Sequence, residues 1–254
     1  MPGEATSAQL RRFLVTWRDG QELPAIHDVG CLSFDGAFRF HYLEAARTAP
    51  RFHPLPGLPD LTGIYGPAAE LFPVFAGRVM ERSRPDFASY VTALDLPRDA
   101  GDLDILARSG GVSRGDHLAL TEEPTIHSDG TTGCTFLVRG LRFALPDPDV
   151  REQVLAALAG GTRLAVRDDP ANDVSADALL VCTSDGVAVG WVPDALAGFV
   201  RCVVGPAGSV TVQRRNSPAQ PPHTRLLVHV TGRLSPVTVT LPSLGARPGA
   251  LAAA

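Results

Sequence analysis

Residues 161–200, GTRLAVRDDPANDVSADALLVCTSDGVAVGWVPDALAGFV, carry the densest local signals in the chain. Asp185-Gly186 sits between two apolar runs, 179–183 and 187–192, and such a dipeptide is the strongest short-range sign of a tight hairpin. A further strand over 162–167 leads into a polar loop holding Pro170 and Asn172. There the Asn amide can bond the backbone and fix the crossing that delivers Ala178 to the next strand. Gly190 permits close approach of a neighbouring backbone, and Pro193 ends its strand and presets a helix over 193–200.

Working outward, strands are expected at 135–143, 209–214 and 226–231, with a helix over 148–159. Short strands at this spacing suggest a small β-barrel. The junction Ser128-Asp129-Gly130 and Thr131-Thr132-Gly133 reads as a flexible boundary. For a chain of 254 residues two domains are the default. The division is therefore an α+β domain over 1–131, a β-barrel domain over 132–235, and a Gly-, Pro- and Ala-rich tail over 236–254 expected to be disordered.

In the first domain Phe13, Val15 and Trp17 alternate as in a strand, and Asp35-Gly36 is flanked at period two by Leu32, Phe34, Phe38, Phe40 and Tyr42. Four prolines within 48–60 predict an irregular connection. Pro67 predicts a helix presenting Leu71, Phe72, Phe75 and Val79 on one stripe. Shorter helices are expected from Pro85-Asp86 through Leu94 and from Gly101-Asp102 through Ala107. A strand over 117–120 follows.

All 23 basic residues are Arg. A Walker lysine, a Schiff-base lysine and a kinase phosphate-pairing lysine are thereby excluded from this chain. The same usage points to a GC-rich bacterial genome. Net charge is −4, unlike a protein that coats duplex DNA by bulk attraction. The charge is uneven: 12 Arg face 18 acids in residues 1–133, giving −6, while 11 face 9 in residues 134–254, giving +2. An anion-binding surface is expected in the second half.

Cys31, Cys134, Cys182 and Cys202 lack the spacing of a zinc site and read as reduced, mostly buried thiols. The seven histidines form no metal motif or nucleophile elbow. Asp168-Asp169 reads as a solvated turn. No enzyme activity and no cofactor are expected. Apolar runs stop short of a membrane span and the N-terminus lacks a secretory pattern, so a cytoplasmic location and no membrane partner are expected.

Pro170, Asn172, Ala178, Gly190, Trp191, Val192 and Pro193 occur in the order found at the centre of a HIRAN domain. With Phe136-Leu137-Val138-Arg139-Gly140 as the opening strand, the resemblance covers about 100 residues. It implies a barrel similar to oligonucleotide-binding (OB) or SH3 folds, and a non-enzymatic module that binds single-stranded DNA or DNA ends by aromatic stacking and polar capture of the terminal hydroxyl. Carried onto this chain, the binding residues are Arg139 and Arg142 on the opening strand, Asn172, Ser175, Trp191, and Arg214 and Arg215 near the last hairpin.

Two departures stand out. Leu137 and Val138 replace the aromatic residues of DNA-binding members, and Ser175 replaces their Asp. They motivate an alternative, a protein-interaction or regulatory adaptor that has lost the nucleic-acid site. Trp191, at a strand end, reads as core more than as stacking surface. Residues 71–87, LFPVFAGRVMERSRPDF, faintly resemble the N-terminal subdomain of HipA-type proteins. Within them Arg78, Arg82 and Arg84 suggest an anion site on one helix face, against a solvated face paired with Glu70, Glu81 and Asp86.

Overall fold

The protein is described by a computed structural model covering residues 9–20, 25–113, 117–205 and 208–234. The segment 236–254, expected as a disordered tail, lies outside the described residues. The chain is α+β and divides into two compact units. Of the described residues, the first comprises those within 9–79 and 110–123, and the second those within 80–109 and 124–234.

The first unit is built on β1 (Arg11–Arg18), β2 (Ile26–Phe34), β3 (Phe38–Tyr42), β4 (Ile64–Ala68) and β5 (Leu118–Glu122), all antiparallel in the order β4-β3-β2-β1-β5. Asp35-Gly36 turns β2 into β3 as expected, with Phe34 opposite Phe38 and Gly36 at φ 103°. One sheet face carries the core rings Phe13, Phe40 and Tyr42. Gly30 makes room for Phe40, because a Cβ there would lie 2.5 Å from the ring. A short helix α1 (Glu44–Thr48) and an irregular Pro-rich connection lead to β4.

The helix expected from Pro67 does not form there. Residues 64–68 pair with β3 as an edge strand, and only α2 (Pro73–Ala76) is helical. Proline is tolerated on an edge strand, where its missing N–H takes no ladder bond. Pro73 opens the helix instead, and Gly77 caps it after one turn.

The second unit takes in α3 (Phe87–Ala93) and α4 (Asp102–Ser109), which sequence reading places in the first domain. Its sheet comprises β6 (Thr131–Leu137), β7 (Arg163–Asp168), β8 (Leu179–Cys182), β9 (Ala188–Trp191), β10 (Ser209–Arg215) and β11 (Leu226–Arg233), in the order β6-β11-β10-β7-β8-β9. All pairings are antiparallel. The physical reason for the helices' assignment is in their contacts. Asn216, at the end of β10, donates its amide to the Ala93 carbonyl at 2.7 Å, and Gln213 donates to Asp95 at 2.7 Å.

Helices α5 (Leu141–Ala144), α6 (Pro148–Ala156) and α7 (Asp194–Val204) complete the unit. Asp147 caps α6 by accepting from Asp149 and Val150. Buried Leu196, Phe199, Val200 and Val203 recur at helical spacing along α7 and close the core against β8, β10 and β11. Val181, Val189, Leu227, Val228 and Val230 form the sheet's contribution, each fully buried.

The opening strand is shorter than expected. It ends at Leu137, Gly140 follows at φ 67°, and residues 141–144 turn into α5. Arg142 therefore stands on a helix and not on the opening strand. A glycine in the left-handed region reverses the chain without a Cβ clash, which apolar patterning alone does not reveal.

Candidate binding site

The six-stranded sheet curls until its two ends meet. Beyond β6, Arg139 donates its N–H to the Trp191 carbonyl at 2.8 Å and accepts from the Trp191 N–H at 2.9 Å. This exchange closes a seam between the two outermost strands, so the sheet is barrel-like. Two glycines allow it. A Cβ on Gly190, at φ 139°, would lie 2.3 Å from the Arg139 carbonyl oxygen. A Cβ on Gly140 would lie 2.5 Å from the Trp191 ring.

The polar loop after β7 fixes the other side of Trp191. Asp169 Oδ2 accepts from the indole Nε1 at 2.9 Å and from Asn172 Nδ2 at 3.0 Å. These two bonds hold the Asp169 carboxyl below its ordinary pKa. Asn172 Oδ1 in turn accepts the backbone N–H groups of Val174 and Ser175 at 3.0 and 3.2 Å. Ser175 Oγ accepts from the Asp177 N–H. Asn172 thus bonds the backbone and holds the crossing to Ala178, as its position in sequence suggested.

Asp168-Asp169 is not a free turn. Asp168 accepts from Arg201 at 2.7 and 2.9 Å, and Arg201 also reaches the Asp177 carbonyl. Asp169 is the centre of the Trp191 network, a role that sequence reading missed. The available signal was its spacing, three residues before Asn172 in Asp-Pro-Ala-Asn.

Arg139 is half-buried, and burial pushes its guanidinium pKa below the ordinary value. Among the described residues its side chain has no hydrogen-bond or ion-pair partner. Three residues on, the Arg142 guanidinium lies 4.9 Å from the centroid of the Phe143 ring. Phe143 is 69% exposed, the most exposed aromatic among the large apolar side chains that face water. Helix α5 packs against β9. Arg139, Arg142, Phe143 and Trp191 therefore lie around one end of the seam. Leu137 and Val138 are buried, so they offer no platform. The exposed ring comes from the helix that follows.

The seam brings together Arg139, Arg142, Trp191, Asn172 and Ser175. It does not include Arg214 and Arg215. Both belong to β10, separated from β6 by β11. Arg214 faces Asp95 at 3.5 Å, and Arg215 is exposed. The three arginines at 78, 82 and 84 do not share a helix face, since α2 ends at Ala76. Arg78 donates to the Val74 and Gly111 carbonyls, Arg82 to the Ala100 carbonyl and Asp102, and Arg84 to Asp86.

Among the described residues no group of three His, Cys, Asp or Glu side chains is placed to hold a metal, and no helix is long and apolar enough to cross a membrane. Cys31 and Cys182 are buried, Cys134 is half-buried and Cys202 is exposed.

No protein-family model matches the chain, and no curated protein matches it. Among solved structures, the HIRAN domain of human HLTF is similar at 18% identity over 42% of this chain and 84% of that domain, with a TM-score of 0.29. At that score the likeness adds nothing to the geometry.

Proposed function

We propose that the second unit is a non-enzymatic, HIRAN-like module that binds single-stranded nucleic acid across the Arg139–Trp191 seam. The observation that carries this reading is Phe143, an exposed ring with Arg142 beside it and the unpaired Arg139 four residues away. Single-strand binding needs π-faces for bases and cations for phosphates, and it tolerates sequence because every base presents a face. Arg142 engages the ring by cation–π attraction, and most of the ring remains open to a base. The positive balance of residues 134–254 supports the same reading.

Fluorescence anisotropy with a labelled single-stranded oligonucleotide tests it. Stacking of one base is worth about 1–3 kcal/mol, so Phe143→Ala is expected to weaken binding about 5- to 150-fold without lowering the melting temperature. Equal affinity of the variant and the unaltered chain would remove Phe143 from the interface. The adaptor reading predicts the opposite pattern, no affinity for any oligonucleotide and a protein partner lost with the same substitution.

A further inference from the structure

We infer that Arg139 seats a phosphate monoester, the terminal phosphate of a bound strand, and that the diesters along the strand are held elsewhere. This deepens the single-strand reading and rests on it.

The other half-buried arginines of the second unit have partners: Arg151, for one, forms no salt bridge but donates to the Leu145 carbonyl at 2.8 Å. Arg82, Arg84, Arg201, Arg214, Arg225 and Arg233 each face a carboxylate. Arg98, Arg142, Arg163, Arg167 and Arg215 form no salt bridge among the described residues but are exposed, so water solvates them. Arg139 is half-buried with no carboxylate beside it among the described residues. A guanidinium partly withdrawn from water, its nitrogens still within reach of solvent, gains from a paired anion. The missing pair is an anion supplied from outside.

Geometry narrows the anion. The Arg139 main chain is committed to Trp191 through both its N–H and its carbonyl, which fixes the root of the side chain. Directly opposed residues of an antiparallel pair project to the same face, so the guanidinium leaves on the side of the Trp191 indole. A diester phosphate carries an ester branch on each side and one charge, which keeps it on an open surface. A monoester stands at the end of its chain, offers three free oxygens and carries close to two charges near neutral pH. It can approach a recessed guanidinium, whose planar fork matches two of those oxygens. Gly140 turns the chain directly after Arg139, so the Phe143 ring is held one helical turn away, where it can receive the adjoining base.

Anisotropy on the full chain decides the matter with one internally labelled sequence in four forms: 5′-phosphorylated, 3′-phosphorylated, hydroxyl-ended and circular. One phosphorylated form is expected to bind about tenfold more tightly than the hydroxyl-ended form, the size of a charge-assisted forked contact. Millimolar inorganic phosphate should abolish that gain and leave the remaining affinity. Arg139→Lys, which keeps a charge but loses the fork, should erase most of the gain. If that variant fails to fold, the comparison of forms on the unaltered chain still decides. Equal binding of all four forms overturns this inference and leaves the single-strand reading standing. Binding to none of them removes both.

Discussion

Trp191 and Asp169 are joined across 22 positions of sequence by one hydrogen bond, the indole N–H donating to the carboxylate at 2.9 Å. The same carboxylate oxygen holds Asn172, so one short side chain ties the end of β9 to the loop that follows β7. Asp169→Ala is expected to destabilise the second unit by about 1 kcal/mol, the net worth of a partly solvated hydrogen bond. The chain has two Trp residues. A Trp17→Phe background therefore lets Trp191 emission follow the loosened ring in a urea titration, where an unchanged midpoint would show that the bond contributes nothing.

Gly190 and Gly186 give a paired test of the seam. Both have positive φ, but a Cβ at Gly190 would strike the Arg139 carbonyl, whereas one at Gly186 would meet nothing within 4 Å. Gly186→Ala is expected to cost only left-handed backbone strain, about 1–2 kcal/mol. Gly190→Ala adds a steric clash and is expected to cost more and to lower oligonucleotide affinity. Denaturation midpoints in the reverse order would contradict the closure of the sheet.

Asn216 fastens α3 to the barrel-like sheet. Its buried amide donates to the Ala93 and Thr224 carbonyls at 2.7 and 2.6 Å. Asn216→Ala leaves two buried acceptors unpaired, with an expected cost of about 2 kcal/mol. Hydrogen exchange should then show faster exchange at Val91 and Leu94. If protection there is unchanged, residues 80–109 do not depend on the sheet in the manner the contacts indicate.

Acid should weaken both units. Burial lowers the pKa of His41, in the first unit, and of His229, in the second, with Arg12 and Arg108 respectively adding to the effect. Above the ordinary histidine range both groups are neutral whether the chain is folded or not. As pH falls through about 6.5, the unfolded chain takes up these protons first, so stability falls. The lowered pKa of Asp169 places its own loss at lower pH, setting in as the unfolded carboxylate protonates in its usual range and completed below it. Melting temperatures between pH 7.5 and 5 should therefore decline, and His41→Gln and His229→Gln should each flatten the slope.

Much of the second unit's sheet was legible because its signals are local. Asp185-Gly186 demands a turn, Pro193 stops a strand, and Asn172 suits a backbone-bonding loop. The failures lie where conformation depends on distant contacts. Nothing in Leu137-Val138-Arg139-Gly140 announces that Gly140 adopts φ 67° beneath the Trp191 ring, so the apolar pattern extends a strand through 143 where the chain turns into a helix and exposes Phe143. Pro67 presented a helix-opening signal, but pairing of 64–68 with β3 prevailed over it. Asp169 looked like half of a solvated pair because its partner, Trp191, is far away in sequence.

The salt dependence of single-strand affinity tests the central claim most directly. Each phosphate neutralised contributes a slope of about −0.7 in log affinity against log salt for a single strand. With Arg139 and Arg142 both engaged by a strand that carries a terminal phosphate, the unaltered chain is expected to show a slope of about −1.4, and Arg142→Ala a slope shallower by about 0.7. Measurable binding with that loss of slope is the predicted result. Binding that is absent at low salt, or a slope that Arg142→Ala leaves unchanged, would contradict a nucleic-acid site at the seam.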